Sequence, residues 1–139
     1  MNTFTVMELT AEAALNMYSA AANRAEEIGF SIAVTIVDRG GNTKFFARMD
    51  GAPLMACDIS RKKAVTAVGF GMETGKAWHD FIKDDPILNQ GVTGIEDFML
   101  FGGGKPIYID GTLVGAIGVS GGHYTQDEQC CEAAMKVIG

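Results

Sequence analysis

Apolar residues at Ala14, Met17, Tyr18, Ala21, Ala25 and Ile28 recur at the spacing of one helix face. Thr10 precedes this run as a candidate N-cap, Glu12 lies in the first turn, and Gly29 suits a C-terminal cap. The face is thin and alanine-rich, so this helix is expected to lie close against a sheet. The pattern then changes. Ser31 to Val37 is β-branched and apolar, the mark of a strand buried on at least one face. Asp38-Arg39-Gly40-Gly41-Asn42 turns the chain, and Thr43 to Arg48 returns as a second strand. After a loop from Met49 to Pro53, Leu54 to Phe70 reads as a second helix. Ile59, Lys63, Ala67 and Phe70 lie along one side, with Ala56, Ser60, Ala64 and Val68 close by. Thr74 is a candidate cap for a short helix through Ile82, ended by Asp84-Asp85-Pro86, and Ile87 to Asp97 is irregular.

Phe98 to Phe101 reads as a third strand. The strands Ile107 to Ile109 and Thr112 to Val119 flank Asp110-Gly111, a dipeptide suited to a two-residue hairpin turn. Thr125-Gln126-Asp127-Glu128 has the form of a capping box at the start of a last helix running to Val137. The order is α-β-β-α-α-β-β-β-α. Hairpin connections predict a mainly antiparallel sheet with helices packed on it, an α+β fold and not a doubly wound one. Gly115 and Gly118 fall inside the longest strand of this region, with Gly121 and Gly122 just after it. Strand glycines mark close approach by a ligand, a partner subunit or a neighbouring helix.

Composition narrows the function classes. The 139 residues are expected to form one domain, residues 1–139, with 47% hydrophobic and 20% charged residues. Eleven basic and 17 acidic residues give a net charge of −6. This balance argues against a nucleic-acid partner and against a polybasic membrane anchor. No apolar run approaches the ~20 residues of a membrane span. Met1 to Thr10 shows neither a basic nor an apolar signal region, so a cytoplasmic location is expected. Three cysteines, two of them adjacent, do not make a disulfide framework.

Several segments are candidates for chemistry. Gly102-Gly103-Gly104-Lys105-Pro106 lacks the spacing of a phosphate loop, and proline follows the lysine where a helix should begin. Ser120-Gly121-Gly122-His123-Tyr124 leaves a buried strand and enters a helix N-terminus, a setting that favours anions, with His123 at its mouth. His79 lies in Trp78-His79-Asp80 and reads as part of a solvated polar face. Its spacing from Asp84 and Asp85 matches no zinc or calcium pattern. The absence of C-x-x-C-H excludes covalent c-type haem attachment. Cys130 and Cys131 read as small core residues. Arg48, Asp50 and Lys63 form either a structural ion-pair set or a ligand site.

The segments AVTIVDRGGNTKFFARMDGA (33–52), SRKKAVTAVGF (60–70), GGGKPIYIDGTLVGAIGVSGG (102–122) and QDE (126–128) together resemble the GlcG/HbpS-like family. That family includes the C-terminal domain of PduO-type corrinoid adenosyltransferases. The resemblance implies a profilin-like α/β/α fold with a five-stranded, mainly antiparallel sheet. It also implies homo-oligomers, from dimers up to octamers, and a haem-binding or haem-degrading function. Haem or a related tetrapyrrole is therefore the first expected ligand, with Ser120, Gly121, Gly122 and His123 as the cofactor-binding residues. The second expectation is an enzyme or enzyme accessory in glycolate, diol or corrinoid-linked metabolism, with Arg48, Asp50, Lys63 and Asp127 holding a small polar substrate. A non-catalytic oligomeric scaffold is the third.

Overall fold

The computed structural model describes residues 1–138. Helix α1 (Ala11–Ile28) is capped by Thr10, whose side chain accepts from Ala13 N, and ends at Gly29 in the left-handed conformation. It buries Ala14, Met17, Ala21 and Ala25, one residue per turn, so its backbone comes close to the layer beneath. Strands β1 (Ala33–Asp38) and β2 (Thr43–Arg48) form the first hairpin, and helix α2 (Leu54–Phe70) follows. Two short helices, α3 (Lys76–Ile82) and α4 (Pro86–Gly91), and a 3-10 turn (Val92–Gly94) lead to the second hairpin. This is β3 (Gly104–Ile109) and β4 (Thr112–Ser120), and helix α5 (Tyr124–Met135) closes the chain.

The sheet has four strands in the order β2-β1-β4-β3, and every neighbouring pair is antiparallel. Alternation along the strands separates two cores. Val34, Ile36, Ile117 and Val119 share one core with the buried faces of α1 and α5. Val37 and Ala116 pack with Ala64, Ala67 and Val68 of α2 in another. Three layers result, with α2 alone on one face and α1 with α5 on the other. Trp78, Ile82 and Val92 form a third, smaller core with Phe98 and Leu100 around α3.

The α+β class and the antiparallel sheet follow the sequence reading, but the count of five strands does not. Phe98–Phe101 is not a strand. Met99 N donates to Thr66 Oγ1 at 2.9 Å, and Thr66 Oγ1 donates to Asp97 O at 3.1 Å. The Phe98 ring packs edge-on to Trp78 at 5.1 Å. The segment is tied to α2 and to the small core, so its backbone is not offered to the ladder. The edge strand β3 instead reaches back to Gly104, three residues before its expected start. Ile87–Asp97 is less irregular than expected. Asp85 caps α4 by accepting from Ile87 N and Leu88 N, and Pro86 supplies the first helical position. Thr74 caps nothing; its side chain accepts from Gly104 N at 2.9 Å, and Gly75 precedes α3.

The expected capping box of α5 also shifts. His123 is the N-cap: its Nδ1 accepts from Thr125 N, and Gln126 Oε1 accepts from His123 N, two residues ahead of the Thr125–Glu128 register. Thr125 contributes its hydroxyl to His123 Nδ1 at 2.9 Å.

Candidate functional site

Three segments distant in sequence meet to form a cleft of about 450 Å³. Gly75, Lys76 and His79 line one wall from α3. Leu100, Phe101 and Gly102 come from the segment before β3, and Tyr124, Thr125 and Glu128 from the first turns of α5. This volume lies in the range of small-molecule sites. Leu100, Phe101 and Tyr124 make the lining chiefly apolar, and the imidazole of His79 stands on the same wall. His123 lies beside the cleft with its ring tilted 37° against that of Tyr124, centroids 4.1 Å apart. Lys76 is ion-paired with Asp80. Burial, followed by the charge of Glu73, pushes the Glu128 carboxyl above its ordinary pKa.

The segment 97–102 that walls this cleft is clamped to α2. Arg61 holds Asp97 with two parallel bonds of 2.9 and 3.1 Å and reaches Asp58 as well. Asp97 has φ of 66°, an uncommon value for a residue with a side chain. The guanidinium lowers the Asp97 pKa, and Asp97 in turn raises that of Arg61.

The residues singled out from sequence fall into three places. Arg48 and Asp50 line a second cleft of about 570 Å³ with Tyr18, Glu26, Phe30 and Ser31. Gly121 packs against Ser31 and Ile32, and Gly122 against Gln126 and Phe30, and neither lines that cleft. Lys63 and Asp127 meet each other inside the protein. Lys63 Nζ donates to Asp127 Oδ2 at 2.9 Å and to Val119 O at 2.8 Å, and Gly122 N donates to Asp127 Oδ1 at 3.0 Å. Both side chains are 2% exposed, so this pair links α2, β4 and α5 and lines neither cleft. Burial raises the Asp127 pKa even with the Lys63 ammonium beside it. Ser120 is buried at the end of β4. The amides of Gly122, His123 and Thr125 are taken by Asp127, Gln126 and His123 itself.

The sequence reading missed the role of α3. His79 is exposed, as a solvated face requires, yet it also lines a glycine-walled cleft. Gly75, one turn before it, was the available local signal. Gly102 and Glu128 reach it only through the fold. Cys130 and Cys131 are structural: burial pushes the Cys130 thiol up to about 11 and raises Cys131 further, and Cys131 Sγ donates to Gly103 O at 3.0 Å. Among the described residues, no group of three or more His, Cys, Asp or Glu gathers as a metal cluster, and no helix is long and apolar enough to cross a membrane.

Residues 9–136 match the family described as haem degrading protein HbpS-like. An uncharacterised 15.0 kDa protein of Citrobacter freundii, from the dhaT-dhaS intergenic region, is 35% identical over 94% of this chain and 92% of its own length. The corrinoid adenosyltransferase PduO of the same organism is 33% identical over 95% of this chain, which spans only 39% of that protein. The crystal structure of a PduOC:haem complex superposes with a TM-score of 0.87 at 29% identity, covering 95% of this chain and 96% of the other.

Proposed function

The chain belongs to the HbpS-like family, and from that premise we propose that it binds haem or a related tetrapyrrole in the cleft between α3 and α5. One observation carries the reading: an apolar slot walled by Leu100, Phe101 and Tyr124 has an imidazole on its wall. A tetrapyrrole is a flat apolar ring with polar propionates at one edge, so it needs an apolar slot open on one side. The relative solved with haem has the same fold over almost the whole chain, which supports the same ligand class here.

The residues present fit the group. Leu100, Phe101 and Tyr124 would cover the ring, and Lys76 would stand near the propionates. Haem supplies an iron that takes a neutral imidazole nitrogen as axial ligand. His79 and His123 are the two histidines of the chain. Nδ1 of His123 accepts from the Thr125 amide, so the neutral ring in this cap carries its proton on Nε2, and ligation through Nε2 would require the cap bond to be given up. His123 was the choice from sequence, and His79 lines the cleft directly. Haemin titration followed at the Soret band tests both. Wild type is expected to bind saturably, and either His79→Ala or His123→Ala is expected to alter the bound spectrum. Identical spectra for wild type and both variants would remove imidazole ligation.

A second reading rests on the other cleft. Glu26, Arg48 and Asp50 surround an open space at one end of the sheet. Carboxylates and a guanidinium together suit a small polar substrate, as an enzyme or enzyme accessory requires. Weakening of hydroxy-acid or diol binding by Arg48→Ala would favour it.

A further inference from the structure

We propose that Glu128 is the acceptor that recognises pyrrole N–H groups, so that the α3–α5 cleft takes metal-free linear tetrapyrroles as well as haem. The proposal rests on the reading of this cleft as a tetrapyrrole site.

The fold makes a place for this carboxylate. Gly75 and Gly102 face each other so closely that a Cβ on Gly75 would lie 2.8 Å from Gly102 Cα. The Glu128 side chain lies against them. A Cβ on Gly102 would lie 2.7 Å from Glu128 Cδ and Oε1, and one on Gly75 would lie 4.0 Å from Oε2. Any side chain at Gly102 would displace the carboxylate. Gly75 also has φ of 99°, where a side chain is strained. The two glycines thus leave room for the Glu128 carboxylate at the cleft wall.

That carboxylate makes no hydrogen bond or ion pair among the described residues. The cations around it are engaged elsewhere. Lys105 pairs with Glu73 at 3.4 Å, Lys76 with Asp80, and Lys63 with Asp127. The cleft therefore presents an acceptor with no protein donor, beside apolar surface. A partly desolvated carboxylate in such a place is stabilised by a ligand that brings N–H donors. Raising of its pKa by burial agrees with the geometry.

This requirement separates ligands of similar shape. In haem the four pyrrole nitrogens hold the iron and none carries a proton. Both kinds of pigment carry propionates, so the N–H groups alone separate them. A metal-free linear tetrapyrrole keeps N–H groups that an outside acceptor can reach, and the same apolar rim. Glu128 would accept from those N–H groups while Leu100, Phe101 and Tyr124 cover the ring.

The test is parallel titration of the full chain with biliverdin and with haemin, followed by absorbance, for wild type, Glu128→Gln and Glu128→Ala. Glu128→Ala is expected to weaken biliverdin by at least about tenfold, the loss of one charge-assisted hydrogen bond. The haemin affinity of this variant should fall by much less than its biliverdin affinity, and an unchanged far-UV circular dichroism spectrum shows the variant folded. Glu128→Gln keeps a carbonyl acceptor and should fall between. Biliverdin binding that Glu128→Ala leaves unchanged, or equal losses for both pigments, would overturn the role of Glu128 and leave the tetrapyrrole reading standing. Failure of wild type to bind either pigment would overturn both.

Discussion

Gly118 shows at the scale of one residue why the fold holds its layers so close. A Cβ there would run into Ser60 O and come within 2.7 Å of Ala64 N, both on the α2 backbone. Backbone cannot rotate away as a side chain does, so α2 would have to lift off the sheet. Gly118→Ala is expected to cost about 1–3 kcal/mol or more, read by chemical denaturation. An unchanged midpoint and slope would show that α2 does not press on β4. The Lys63–Asp127 pair makes a different demand. Two buried charges in one geometry satisfy each other, and removing one leaves the other uncompensated. Asp127→Ala should therefore cost ~3–5 kcal/mol, and adding Lys63→Met should recover part of that loss in a double-mutant cycle. Strict additivity of the two changes would mean the charges are not coupled.

At the scale of elements, the clamp between α2 and the segment before β3 shapes the cleft. Arg61 lowers the Asp97 pKa below its ordinary 3.8. A carboxyl with a depressed folded pKa adds stability above its unfolded value and loses it as pH falls through the folded value. The clamp is therefore present at neutral pH and released as pH drops below 3.8. Both side chains are partly exposed, so the effect on global stability is small. The local effect should be visible in the emission of Trp78, the chain's one tryptophan, whose ring touches Phe98. Arg61→Ala at neutral pH should reproduce the emission change that wild type shows in acid. An acid transition of equal size in wild type and Arg61→Ala would assign it to other groups. This segment is also where sequence reading was weakest. Helices α1 and α2 and the two hairpins were legible because periodicity, caps and the Asp110-Gly111 turn are local signals. Phe98–Phe101 has the composition of a strand, and only the contacts with Thr66 and Trp78 keep it out of the sheet. The α5 cap was misplaced for a related reason. Thr125–Glu128 fits the common formula, while the true box uses an imidazole acceptor at His123.

Across the whole molecule, the candidate site was legible only in pieces. Ser120–His123 and Arg48–Asp50 stood out because glycine runs and turn charges are visible in sequence. The α3–α5 cleft joins residues 75–79, 100–102 and 124–128, and no local pattern announces that meeting. The surface raises a matter of assembly. Phe4 and Met7 at the N-terminal end, Leu54 and Met55 at the start of α2, and Phe81 and Ile87 near α3 and α4 are exposed. Exposed apolar side chains in such number accord with subunit contacts. Sedimentation at micromolar concentration is expected to give a species larger than 14.8 kDa. A single 14.8 kDa species would contradict assembly.

The most direct measurement of the central claim is haemin quenching of Trp78 emission, because Trp78 adjoins His79 in α3. It should be run on wild type, on Thr125→Phe, which puts bulk into the α3–α5 cleft, and on Arg48→Ala in the other cleft. Saturable quenching in wild type, weakened at least about tenfold by Thr125→Phe and untouched by Arg48→Ala, is the predicted result. Quenching lost in Arg48→Ala but kept in Thr125→Phe, or no saturable quenching in wild type, would contradict the account.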